Sequence, residues 1–121
     1  MIIHSATVIV RDQAAAIRFY TEQLGWAVAL DNQVSESMRF VTVVPPGGGS
    51  QLALGDPSWF AADRMPGGPT GISIATERLD EDVAALTARG VRFKGPIESV
   101  PWGRHTWFYD LDDNEFYLVG Q

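Results

Sequence analysis

Apolar and polar residues change period along this chain in an order that occurs twice. "HSATVIV", His4 to Val10, carries β-branched residues in the alternation of a strand. Asp12 is of a type that caps helix starts. Beyond it Ile17, Tyr20 and Leu24 recur at helical spacing, and Gly25 stands where a helix end takes a left-handed residue. "WAVAL" resumes an extended pattern, and "RFVTVV" (Arg39 to Val44) and "QLALG" (Gln51 to Gly55) read as two more strands. "PPGGGS" between those two reads as a hairpin loop.

The same order returns roughly 65 residues later. "TGISIAT", Thr70 to Thr76, opens it as a strand. "LDEDVAALTARG" follows as a helix with Leu79, Val83 and Leu86 on one face and Gly90 at its end. Asp80, Glu81 and Asp82 sit in its first turn and Arg89 in its last, as the helix dipole favours. "VRF", "HTWFYD" and "EFYLV" supply the remaining strands, the last two joined by an acidic turn through Asp110, Asp112, Asp113 and Asn114. "GDPSWFAADRMPGGP" connects the copies, with one helical turn expected around Trp59 to Ala62.

Each half therefore predicts β-α-β-β-β, and the chain an α+β fold of two tandem modules, about 1–56 and about 70–121, in one domain with a connector over about 57–69. A helix covers one face of each sheet and leaves the other bare. An exposed apolar face is unfavourable by about 25 cal/mol per Å². The expectation is that the two copies curl into a curved mixed sheet whose bare faces share a cleft.

Charge and composition then narrow the chemistry. The net charge of −6 argues against a nucleic-acid groove or an anionic membrane surface. With no cysteine there is no disulfide, thiolate metal site or cysteine nucleophile. "MIIHSATVIVRD" has neither the charged leader nor the cleavage site of a signal peptide, and no apolar run reaches spanning length, so a cytoplasmic protein is expected. "GGG" at Gly47 to Gly49 lies between strands, not before a helix, so it is not a phosphate loop.

"VIVRDQAAAIRFYTEQLGW", "LDEDVAALTARGVRF" and "PWGRHTWFYDLDDNEFYLV" together resemble the vicinal oxygen chelate superfamily of glyoxalases, extradiol dioxygenases, fosfomycin-modifying enzymes and bleomycin-binding proteins. The "PWGRH" run is most similar to the drug-binding branch. The resemblance implies metal ligands on the first and last strands of each copy, which by register are Ser5, Ala53, Gly71 and Tyr117. His4 adjoins the first of these, but alternation turns it to the other face. Serine, alanine, glycine and tyrosine make a poor shell for a divalent ion, so no metal and no cofactor are expected. Within the acidic turn Leu111 and Asp113 replace a proline and a glycine of the family pattern, and Asp113 can still take the left-handed conformation.

What remains for the cleft is a hydroxyl and aromatic surface. Strand alternation gathers Ser5 and Thr7, Ser73, and Glu115 with Tyr117. Phe40, Trp102, Trp107 and Tyr109 stand near by as flat walls, and four tryptophans in 121 residues favour stacking of a flat ligand. Arg104 and His105 form a polar pair at a strand entry, read as a rim that contacts ligand or exchanges protons. Glu115 is expected to face solvent near the turn and to offer an anchor for a cation.

The leading expectation is a metal-independent protein that binds or sequesters an aromatic or cationic metabolite or antibiotic, without nucleic-acid or membrane partners and assembled as a homodimer. The alternatives are an enzyme of the same superfamily, either a metal-free lyase, isomerase or cyclase using Tyr117 or His105 as acid or base or a divergent glyoxalase or dioxygenase, and an interaction module that has lost its pocket.

Overall fold

The computed structural model of the chain describes residues 1–60 and 64–121. They divide into two compact units, Met1–Pro66 and Gly67–Gln121. Each unit carries one mixed sheet, four-stranded in the first and five-stranded in the second.

In the first unit β1 (Ser5–Ile9) is followed by α1 (Gln13–Arg18), β2 (Ala27–Gln33), β3 (Arg39–Val44) and β4 (Gln51–Gly55). The sheet order is β1-β4-β3-β2, with β1 and β4 parallel and the other neighbours antiparallel. Asp12 caps α1, its carboxylate accepting from the Ala15 N–H at 3.1 Å. The helix then widens into a π-helical turn over Phe19–Gln23, where the Leu24 N–H reaches back to the Phe19 carbonyl. That wider turn rotates the face set by sequence spacing. Ala16, Phe19, Tyr20 and Leu24 are buried, whereas Ile17 is only half-buried.

Gln13 ties the helix start to the sheet by donating to the Arg39 carbonyl at 2.8 Å and the Leu54 carbonyl at 2.9 Å. On β3 the fully buried Thr42 bridges a bulge in β2 between Val28 and Leu30. Its hydroxyl accepts from the Leu30 N–H and donates to Gln51 Oε1, which ties the bulge to β4.

The second unit repeats the plan. β5 (Gly68–Ala75), α2 (Leu79–Ala88), β6 (Arg92–Phe93), β7 (Glu98–Val100), β8 (Gly103–Tyr109) and β9 (Asn114–Gly120) follow in order. β9 lies between β5, its parallel partner, and β8, which also pairs with β6 and β7. β7 was not expected from the sequence: Pro96 and Pro101 bracket "IESV" and make it read as a loop. The structure instead turns tightly through Pro101 and Trp102, pairing Val100 with Gly103.

The acidic turn closes as its composition implies. One Asp110 carboxylate oxygen accepts from the Asp112 N–H at 2.8 Å and the Asn114 N–H at 2.9 Å, and the other from the Asn114 amide at 2.9 Å. Asp113 holds a positive φ of 64° in place of a glycine. Of the helical turn expected over Trp59 to Ala62, a 3₁₀ turn is present over Pro57–Trp59, and Ala61 and Ala62 lie outside the described residues.

α2 packs on β9 at close range. A Cβ built on Gly120 would lie 2.8 Å from the Leu79 Cβ, so only glycine admits the helix there. Under the helix Phe108 stacks on Phe116 at 5.4 Å, both nearly fully buried. Arg104 clamps the helix start, donating twice to the Asp80 carboxylate at 2.7 and 2.8 Å. No helix among the described residues is long and apolar enough to cross a membrane.

The hydrogen bonds from Arg104 hold the Asp80 carboxyl below its ordinary range. A depressed carboxylate contributes stability above its unfolded-state value of about 3.9, and loses it as pH falls through the lower folded value. Asp80→Asn is therefore expected to destabilise the protein at neutral pH and to show a shallower acid limb than the parent. Denaturant unfolding from about pH 7 to about pH 3 measures both.

Candidate functional site

The candidate site is built on the face of the second sheet away from α2. Directly paired residues of neighbouring strands share a face, and Tyr117 on β9 pairs with Trp107 on β8 and with Ser73 on β5. Alternation then adds Glu115 and Val119 from β9, and His105 and Tyr109 from β8. Arg104 falls on the opposite face, spent on Asp80, so it does not stand with His105 at one rim as the sequence suggested.

Four rings cluster there. His105 packs 4.5 Å from Trp107, edge-on to Tyr117 at 5.2 Å and 6.4 Å from Trp102, and Trp107 lies 5.3 Å from Tyr117. The phenol oxygen is the hub of the cluster. It accepts from the Trp102 indole N–H at 2.8 Å and lies 2.7 Å from His105 Nδ1.

An indole N–H can only donate, so Tyr117 must accept from Trp102. The phenol can also share a proton with His105 Nδ1, in a direction that the histidine tautomer sets, and the Glu98 carboxylate stands 4.0 Å from Nε2. His105 is 7% exposed, whereas the Trp102 residue is 66% exposed on its turn.

Two cavities open beside this cluster. One of about 170 Å³ is lined by Gly71, Ile72, Ser73, Trp107, Glu115 and Tyr117 with Pro69. A bulge in β5 shapes its floor. The strand's register shifts between Pro69 and Ser73, Gly71 takes a φ of 72°, and the Thr70 hydroxyl donates to the Glu115 carbonyl while accepting from the Ile72 N–H. The signal available in the sequence was that isolated glycine inside a strand pattern. The other cavity, about 610 Å³, is bordered by Trp102, Val119, Thr76 and Glu77. The bonded side chains of Trp102 and Tyr117 connect the walls of the two.

Glu115 overturns its expectation. It is 9% exposed, not solvated, and accepts from the Lys94 ammonium at 3.0 Å, a bond that also holds Lys94 above the usual ammonium range. Lys94 Nζ lies 5.7 Å from the Trp107 ring centre, and the Arg92 guanidinium covers Tyr109 at 5.4 Å. Sequence reasoning missed Lys94 and Glu98 because both lie in the stretch read as loop.

The remaining candidates belong to the first unit. Ser5 and Thr7 are half-buried on β1, paired with Gln51 and Ala53, and Phe40 stacks on Trp59 at 5.8 Å. Of the positions implied as metal ligands, Ala53 is fully buried, Gly71 has no side chain, and Ser5 and Tyr117 offer only hydroxyls. That donor set does not fit a divalent ion. Among the described residues no three His, Cys, Asp or Glu side chains group closely enough to hold one.

The profile of the Glyoxalase/Bleomycin resistance protein/Dioxygenase superfamily matches residues 2–118. A crystal structure of a member of that superfamily from Sphaerobacter thermophilus DSM 20745 is 53% identical, with a TM-score of 0.94 over 100% of this chain and 98% of that one. TnmS3, an antibiotic binding protein from Streptomyces sp. CB03234, is 36% identical, with a TM-score of 0.84 over 98% and 93% of the two chains. The uncharacterized protein YetH of Bacillus subtilis (strain 168) is 26% identical over 116 residues, 96% of this chain and 95% of its own.

The hub yields a direct test. Tyr117→Phe keeps the ring and removes the oxygen that holds Trp102. Stability should fall by about 0.5–1.5 kcal/mol, the worth of a neutral hydrogen bond. Tryptophan emission should shift red with lower anisotropy as Trp102 is released, and a Trp102→Phe background should abolish that change.

Proposed function

The chain belongs to the glyoxalase/bleomycin resistance protein/dioxygenase superfamily, and from that premise we propose that it is a metal-independent small-molecule-binding protein. Its ligand is an aromatic or cationic metabolite or antibiotic that it binds or sequesters in the cytoplasm. The observation that carries this reading is the half-buried aromatic face of β8 and β9 beside a concave cavity, with Glu115 and Tyr117 already bonded within the chain. Apolar clefts with a few placed polar groups suit binding of flat organic molecules. Similarity to an antibiotic binding protein over nearly the full chain supports the same reading.

A metal-free enzyme is the second reading, favoured by one feature. The Tyr117 hydroxyl lies 2.7 Å from His105 Nδ1, within reach for a proton to move at the phenol oxygen. If Tyr117 worked as acid or base, Tyr117→Phe would abolish turnover while barely changing affinity.

Titration of tryptophan fluorescence against planar aromatic alcohols, amines and quaternary ammonium compounds tests binding. Saturable binding is expected, unchanged after dialysis against a chelator. Trp107→Ala should weaken it by about 1.5–3 kcal/mol through lost area and ring contact. No saturation by any compound, or loss of binding after chelation, would refute the reading.

A homodimer is part of the proposal, since a two-fold partner covers sheet edges and faces of small units well. Light scattering at about tens of micromolar, within the range of ordinary subunit affinities, should give the mass of two chains.

A further inference from the structure

The corner of the 170 Å³ cavity formed by Glu115 and the Trp107 ring has the makings of a cation site. A carboxylate sheltered from water beside an aromatic face is how proteins hold organic ammonium groups. In this chain the corner is filled from within. Lys94 donates to Glu115 Oε1 at 3.0 Å with its ammonium 5.7 Å from the Trp107 centroid. The lysine is anchored at the edge of β8 by its backbone N–H, which donates to the Trp107 carbonyl at 2.9 Å. Its side chain remains 57% exposed, so it covers the corner from the solvent side.

We infer that Lys94 sets the charge class of the ligand: its ammonium already pairs with the Glu115 carboxylate, so the cavity accepts an uncharged aromatic molecule and excludes an organic cation. This rests on the reading that the cavity binds a small molecule. The deciding comparison is between two ways of filling it. A cationic ligand that took the carboxylate would exchange one ammonium for another. It would gain little in charge pairing and would have to release Lys94 to water. An uncharged ring stacked on Trp107 with a hydroxyl toward Ser73 or Tyr117 leaves the Lys94–Glu115 pair intact and adds its contacts to it. The net charge of −6 would favour cations over the surface at large, but this corner is locally neutral.

A matched pair of probes, 2-naphthylmethanol and 2-naphthylmethylammonium, separates the possibilities by NMR chemical-shift titration at low salt. The parent should bind the alcohol at least tenfold more tightly than the ammonium. Lys94→Met should raise the ammonium affinity at least tenfold while changing the alcohol less than threefold, and adding Glu115→Gln should cancel that gain. Equal binding of the two probes by the parent, or an unchanged ratio in Lys94→Met, overturns the inference and leaves the binding function standing. If Lys94→Met does not fold, the parent ratio decides. Ammonium binding by Lys94→Met with neither probe bound by the parent sinks the function and keeps the cation corner. No binding by either protein overturns both.

Discussion

The carboxylate of Asp110 is the constraint on which the second unit's site depends. It gathers two backbone N–H groups and the Asn114 amide in a buried turn. That turn sets the pairing of β8 with β9, and register decides which side chains meet. A slip of β9 by one residue would carry Tyr117 to the helix side, away from Trp107 and His105, and bring Phe116 out to water. The turn also reaches the start of β5. Asn114 Oδ1 accepts from the Gly67 N–H at 2.9 Å, and the Asp113 carbonyl accepts from the Gly68 N–H at 3.0 Å. One acidic residue thus aligns all three strands that line the smaller cavity.

Around that framework the charges of the second unit are largely used up in pairs. Arg104 holds Asp80 on α2, Arg92 reaches Asp113, and Lys94 covers Glu115. Exposed pairs of this type add little stability one by one, but they remove free charge from the positions they border. The surface keeps its acidic excess while the concave side of the sheet presents rings and hydroxyls. What such a scaffold does is decided by the few residues that face this side of the sheet, since function resides in the site and not in the scaffold.

Legibility in the sequence followed how local the deciding interaction was. The strands Arg39–Val44 and Gln51–Gly55 were readable to the residue because glycine and proline punctuate them. Asp12 as a cap and Asp113 as a left-handed residue were equally plain, each depending on its near neighbours. The π-helical turn at Phe19 was hidden, because a widened turn leaves residue spacing unchanged and alters only which residues point inward. β7 was hidden by its flanking prolines. The burial of Glu115 was the least readable of all. A glutamate directly after an acidic turn looks solvated until a lysine 21 positions earlier is seen to fold over it. Arg104 and His105 are adjacent in sequence, and only the pairing of β8 shows that they serve opposite faces.

The parallel pairing of first with last strand has a kinetic meaning. In each unit the opening strand waits for the closing one, Ser5 for Gln51 and Ser73 for Tyr117, while hairpins between them can form from nearby residues. Contacts between distant positions are slow to make, so sheet closure is the late event in each unit. During synthesis the first unit holds all its strands by Gly55, before any strand of the second exists. Tyr117 lies on the strand that completes the second. Its ring meets Trp107 already across the β8–β9 hairpin, whereas its pairing with Ser73, and with it the cavity between β5 and β9, is complete only when that sheet shuts.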